Sequence, residues 1–203
     1  MSSFESKIAC YQAEEHPAFR TLNDLRSPIS QEWLSIINGN YIESAVLVPI
    51  RFINDKPSLL LTKRSKSLKN YAGQVCFPGG VCDPKDLNLE ACALREANEE
   101  INITNSDCNV LSRLDAFVTG TGYKITPIVA VIADSFISHP NEDEVVDCFE
   151  VEFSYFQDKT NLHQKKIKRK ETEFRIFEYY YNDHHIWGAT AVIIQNLIEI
   201  YSS

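Results

Sequence analysis

The chain has 203 residues, a length that suits one domain with a sizeable core. Its 44% hydrophobic content excludes a disordered chain, and its formal net charge of -8 disfavours nucleic-acid binding by charge alone. Six cysteines, at 10, 76, 82, 92, 108 and 148, form no CxxC pair and have no histidine pair beside them, so neither a disulfide scaffold nor a zinc site is expected. Reduced thiols in a cytoplasmic protein are expected instead.

The first residues, MSSFESKIACYQAEEH, lack the basic segment and apolar core of a signal peptide, and no apolar run reaches the length of a membrane span. Residues 1–40 mix helical stretches with turn residues, and 31–38 reads as a short helix. This segment is read as an arm that packs on the core, or on a second copy in a homodimer; residues 41–203 are read as the main domain. Residues 44–53 (SAVLVPIRFI) and 58–63 (SLLLTK) flank Asn54-Asp55-Lys56-Pro57, a hairpin pattern. Residues 74–77 (QVCF) form a strand leading into Gly79-Gly80. Residues 109–119 and 124–134 read as two strands around Gly120-Thr121-Gly122, with Pro127 marking an edge or bulge. Residues 135–144 form a polar loop, and 145–157 a strand ending in a short helix. A hairpin follows over 163–181, with Lys170-Glu171-Thr172 at its turn, and an amphipathic helix over 187–201 closes the chain. His184-His185 is read as the turn before that helix. Strands mixed with two or three helices imply a layered α/β or α+β domain.

The chemistry gathers in residues 79–103, GGVCDPKDLNLEACALREANEEINI. On a helix, residues three and four apart share a face, so Glu96, Glu99 and Glu100 converge within one turn. Leu87, Leu94, Ala97 and Ile101 are expected on the opposite, apolar side. Asp86 or Asn88 suits the N-cap, and Asn102 suits a left-handed C-terminus. Like charges this close repel, and a hard divalent cation with its preference for oxygen ligands would relieve them.

This stretch resembles the signature of the Nudix hydrolases: a glycine, five residues, a glutamate, seven residues, then Arg-Glu-apolar-x-Glu-Glu-x-Gly-apolar. Gly80, Arg95, Glu96, Ala97, Glu99, Glu100 and Ile103 fit. Asp86 stands where the upstream glutamate is expected, eight residues instead of seven separate it from Arg95, and Asn102 replaces the final glycine. Upstream, Leu60-Leu61-Thr62-Lys63-Arg64-Ser65, Lys69, Gly73 and Phe77-Pro78-Gly79-Gly80 resemble the motif that marks coenzyme A diphosphohydrolases, with Lys69 in place of an arginine. Lysine keeps the charge but loses the bidentate fork that suits phosphate. Together the two motifs cover residues 60–103. Weaker likenesses lie at Gly120-Thr121-Gly122-Tyr123 and at Trp187-Gly188-Ala189-Thr190.

The resemblance implies a helix–sheet–helix sandwich with a mixed sheet. It implies hydrolysis of coenzyme A or an acyl-coenzyme A to 4′-phosphopantetheine (or its acyl form) and adenosine 3′,5′-bisphosphate. ADP-ribose, NADH or another nucleoside diphosphate derivative is the alternative substrate, and a non-catalytic nucleotide-binding module the remote one. Mg2+ or Mn2+ would be held by Glu96, Glu99 and Glu100, the Gly80 carbonyl and a downstream carboxylate, for which Glu144 is the candidate in Asn141-Glu142-Asp143-Glu144. Arg95 joins the catalytic set by orienting a glutamate of the helix. Arg64, Lys69, Gly79, Gly80 and Tyr123 are the implied substrate contacts. The basic run KKIKRK at 165–170 is read as a solvated hairpin face, with the 3′-phosphate as the functional alternative; Tyr123, Tyr179 and Tyr180 are read as core or strand-face residues before adenine-stacking ones.

Overall fold

The computed structural model describes residues 2–11, 41–119, 121–169 and 172–203, with backbone alone for 167–169 and 172–175. The expected helix at 31–38 and the tip of the 163–181 hairpin lie outside the described residues. A short helix, α1 (Ser3–Ala9), opens with a capping box between Ser2 and Glu5 and buries Phe4 and Ile8. The strands β1 (Ile42–Ile53) and β2 (Lys56–Arg64) follow. Asn54 and Asp55 both have positive φ, 51° and 62°, the signature of a two-residue hairpin turn whose twist matches its strands. That tight turn returns Lys56 and Pro57 to β2, where they pair with Ile53 and Phe52, so the turn is two residues shorter than the sequence suggested.

Pairing between β1 and β2 covers only residues 50–53 against 56–59. Beyond that point the strands diverge, and the segment after β2 fills the wedge. There β3 (Val75–Cys76) pairs with Thr62 and Lys63 of β2, while β4 (Gly79–Val81) pairs with residues 44–46 of β1. The Pro78 carbonyl accepts from Leu47 N–H at 2.8 Å. This insertion sets the two glycines into the sheet itself.

Next comes α2 (Leu89–Ile101), capped by the Asn88 side chain, which accepts from Ala91 N–H, and ended by Asn102 in the left-handed conformation (φ 64°). Leu87 precedes the cap and is 94% exposed, so it does not belong to the apolar face predicted for it. The buried face is Cys92, Ala93, Ala97 and Ile101, and it includes Glu100. Glu100 therefore leaves the solvated acidic stripe and points into the sheet.

The sheet continues with β5 (Cys108–Arg113), β6 (Phe117–Val118) and β7 (Tyr123–Ile132). One strand was expected over 109–119; Leu114 to Ala116 interrupt it. Pro127 sits where β6 and β5 separate along β7, whose other side runs parallel to β1, so it marks an irregularity within the sheet instead of an edge. Then come β8 (Val145–Glu152), paired along β2, and a short helix, α3 (Phe153–Gln157). A separate three-stranded sheet follows: β9 (His163–Arg169), β10 (Thr172–Tyr181) and β11 (His184–Trp187). His184 and His185 thus lie in a strand and not in a turn. The closing helix is α4 (Ala189–Ser202).

Along the main sheet the order is β3-β2-β1-β7-β5, with one parallel pair, β1–β7, among antiparallel ones. Side chains alternate across it with the period of a strand. Val48, Ile50, Leu59 and Leu61 meet Phe4, Ile8, Ile194 and Leu197 on one side. Ala45, Leu47, Leu60 and Ile128 meet Ala93, Ala97 and Ile101 of α2 on the other. The architecture is the helix–sheet–helix sandwich with a mixed sheet. Among the described residues no helix is long and apolar enough to cross a membrane.

Candidate active site

The site forms where α2 lies over the wedge segment. Glu100 is 1% exposed, yet it is fully engaged. Arg64, at the end of β2, donates to Oε1 at 3.2 Å, and the Gly79 N–H donates to Oε2 at 3.2 Å. Burial still outweighs these partners and raises the Glu100 pKa to about 7, helped by the charges of Glu96 and Glu144. Glu96 is raised in the same direction by burial, against the pull of Arg95, with Glu99 and Glu144 adding to the rise.

Arg95 binds the cluster together. Its Nε and Nη2 donate to the two oxygens of Asp86, each at 3.0 Å. Nη1 donates to Glu96 at 2.9 Å and Glu99 at 3.2 Å, and Nη2 also reaches the Val81 carbonyl at 3.1 Å. A planar guanidinium can make this set of contacts and an ammonium cannot. Arg95 in turn holds the Asp86 carboxyl below its ordinary range. Asp86 therefore accepts the arginine fork despite its shorter side chain and the extra loop residue. Nothing in the sequence spacing alone revealed that pairing.

The glycines fit their places tightly. A Cβ on Gly79 (φ 154°) would lie 2.4 Å from the Ala45 carbonyl oxygen and 2.5 Å from Val46 Cα. A Cβ on Gly80 would lie 2.4 Å from Glu96 Oε2. Gly80→Ala is thus expected to keep the fold, because a side-chain end can yield, but to displace Glu96. Misplacement by about 1 Å costs on the order of 10²-fold in rate. Gly79→Ala meets backbone and is expected to lower Tm. Thermal unfolding and steady-state kinetics on the two variants check the contrast.

Glu144 is half buried, and its charge bears on both Glu96 and Glu100. Its loop is anchored to the site by Asn141 N–H on the Glu100 carbonyl (2.8 Å) and Ser65 N–H on the Glu144 carbonyl (2.7 Å). Glu142 and Asp143 are exposed. Glu99 keeps its side chain 54% exposed.

Among the implied substrate contacts, Arg64 is occupied by Glu100, though its buried Nε has no hydrogen-bond partner. Lys69 is exposed in the loop between β2 and β3. Tyr123 starts β7 and meets Tyr71 edge-on, with ring centroids 6.5 Å apart. Tyr71, absent from the sequence reading, is 43% exposed, adopts φ 56° and hydrogen-bonds the Thr121 hydroxyl at 2.6 Å.

The remaining candidates lie elsewhere. Lys165 and Lys166 are exposed on β9, the outer strand of the small sheet; the side chains of 167–170 lie outside the described residues. Tyr179 is fully buried, whereas Tyr180 stacks on His185 with ring centroids 4.7 Å apart. His184 stacks on Phe149, and strand alternation sends the two histidines to opposite faces.

A profile described as NUDIX domain matches residues 43–180. The chain belongs to the Nudix family. It is 42% identical to an uncharacterized Nudix hydrolase NudL of Photorhabdus laumondii over 163 residues, 80% of this chain and 87% of that protein. It is 37% identical to the NudL of Yersinia enterocolitica over 182 residues, 89% of this chain and 93% of that one. A solved protein of Deinococcus radiodurans shares the fold, with a TM-score of 0.50 at 12% identity over 76% of this chain and 81% of that chain. The protein is a Nudix pyrophosphohydrolase, and Nudix hydrolases generally use divalent ions such as Mg2+ or Mn2+. The Nudix donor set here, carboxylates plus a backbone carbonyl, is all oxygen and fits such an ion.

Proposed function

We propose that the protein hydrolyses the diphosphate of coenzyme A or its acyl derivatives, giving 4′-phosphopantetheine (or its acyl form) and adenosine 3′,5′-bisphosphate. The observation that carries this reading is the upstream motif, LLTKRS…FPGG, and its union with the Nudix box. Its strand ends in Arg64 on Glu100, its Gly79 N–H donates to the same carboxylate, and its Gly80 lies against Glu96. In this reading Glu96, Glu99, Glu100, Glu144 and the Gly80 carbonyl hold Mg2+ or Mn2+. When bound, such an ion neutralises the diphosphate and lowers the pKa of a bound water.

The residues of the chain then divide the work. Arg64 and the Gly79 N–H fix Glu100, while Arg95 fixes Glu96 and Glu99 against Asp86. A carboxylate of the cluster takes the proton from the attacking water. Lys69 offers its charge to a phosphate, and Tyr71 with Tyr123 offers an aromatic edge to adenine.

Incubation with coenzyme A, ADP-ribose and NADH in separate reactions, with and without magnesium, tests the reading. Chromatography is expected to show metal-dependent adenosine 3′,5′-bisphosphate, formed fastest from coenzyme A. Faster cleavage of ADP-ribose or NADH would overturn the coenzyme A assignment and leave the Nudix chemistry standing.

A further inference from the structure

The wedge segment and the start of α2 bring together a second group of ligands, unlike the first in chemistry. The sulfurs of Cys82 and Cys92 and a carboxylate oxygen of Asp86 all lie within 4.8 Å of one another. Cys82 follows β4, Asp86 lies in the connecting loop, and Cys92 is on the first turn of α2. Cys92 is fully buried, Cys82 is partly exposed, and the Asp86 side chain is only 8% exposed. We propose that Cys82, Asp86 and Cys92 form a site for a thiophilic divalent cation such as zinc, separate from the glutamate cluster.

Zinc takes sulfur at about 2.3 Å and carboxylate oxygen at about 2.0–2.2 Å in a tetrahedral shell. Ligands spread over 4.8 Å close onto such an ion with shifts of about an ångström. The partly exposed Cys82 supplies the entry path, and a water would complete the shell as the fourth ligand. Softness separates the two sites: thiolates select zinc, whereas the all-oxygen cluster suits magnesium.

The charges also balance. One divalent ion replaces two thiol protons, so the exchange adds no net charge to the buried region. The Asp86 charge is already matched by Arg95, whose fork contacts both carboxylate oxygens at 3.0 Å. Oδ2 also accepts from the Asp83 N–H at 2.8 Å, but Oδ1 has only the Arg95 Nε contact and keeps a further lone pair, so Asp86 can ligate a metal through Oδ1 while Arg95 orients it, the usual arrangement around a ligating carboxylate. Such a site staples the glycine strand to the helix that carries Glu96, Glu99 and Glu100. It also withdraws the Cys92 thiol from the Gly80 carbonyl, which it contacts at 3.9 Å. Sequence spacing does not announce this site, because its ligands form no recognised metal-binding pattern. The inference does not depend on which diphosphate is the substrate.

Cobalt(II) reports on it directly. The full chain, reduced with a phosphine and stripped of metal, is titrated with cobalt in excess magnesium. One equivalent is expected to produce a sulfur-to-cobalt charge-transfer band and the visible bands of a tetrahedral ion, both erased by zinc. Cys82→Ser and Cys92→Ser are expected to lose the charge-transfer band, and Glu99→Gln to keep it. Circular dichroism confirms that each variant is folded; should Cys92→Ser fail to fold, Cys82→Ser, at the partly exposed ligand, decides. Absence of the band in the parent protein, or its survival in folded Cys82→Ser, would overturn the proposal.

Discussion

Glu99→Gln and Glu100→Gln are each expected to lower kcat by about two to four orders of magnitude, the range typical of a positioned proton-transfer group. The two variants should differ in stability. The Glu99 side chain is 54% exposed and contacts Arg95 at 3.2 Å, so its replacement should leave Tm nearly unchanged. Glu100 is buried, and its pKa rises from an ordinary 4.5 to about 7 in the folded protein. Between those values the folded chain holds more protons than the unfolded one, so stability falls as pH rises through the window. At about 1.4 kcal/mol per pH unit, the loss amounts to about 3 kcal/mol by pH 8. Urea unfolding in a chelator between pH 4.5 and 8 should show this slope. Added magnesium should flatten it, as should Glu100→Gln. An unchanged kcat in Glu99→Gln would remove that residue from the catalytic cluster, and a flat pH profile in the parent protein would contradict the burial argument for Glu100.

Arg95→Lys is the second large expected effect. The ammonium keeps the charge but can reproduce neither the fork on Asp86 nor the simultaneous contacts to Glu96, Glu99 and the Val81 carbonyl. Residues that orient metal ligands typically change metal affinity or activity by about 10–100-fold when replaced. The concentration of magnesium giving half-maximal rate is therefore expected to rise by that factor. Arg95→Ala should do more, since it leaves Asp86, with only 8% of its side chain exposed, without its ion-pair partner. An unfavourably buried group of this kind costs about 1–3 kcal/mol. A magnesium titration of the rate, paired with thermal unfolding, separates the two effects. A magnesium dependence identical to the parent's in Arg95→Lys would show that the fork does not organise the cluster.

The helix and its caps were legible in sequence because they depend on neighbours within a turn: Asn88 accepts from Ala91 and Asn102 adopts the left-handed end. The grouping of Glu96, Glu99 and Glu100 follows equally from helical spacing. Hairpin strands and the closing helix were legible for the same reason, since turn residues and apolar periodicity are local signals, whereas Gly79 and Gly80, read as a loop, pair with β1 as strand β4. The breaks came where long-range packing overruled them. Leu87 looked like part of the apolar stripe, but the cap begins the helix after it.

What sequence alone determined is thus a Nudix box on a helix, with its carboxylates on one turn and two glycines before it. Tertiary structure decided what those carboxylates are. The divergence of β1 and β2 admits β3 and β4 and sets Gly79 under Glu100; the end of β2 delivers Arg64, and the loop before β8 delivers Glu144. The same folding pairs Asp86 with Arg95 and draws Cys82 toward Cys92. The physical reason is that spacing fixes direction within a helix, whereas pKa, ion pairing and ligand sets depend on dielectric and on charges brought in from distant strands.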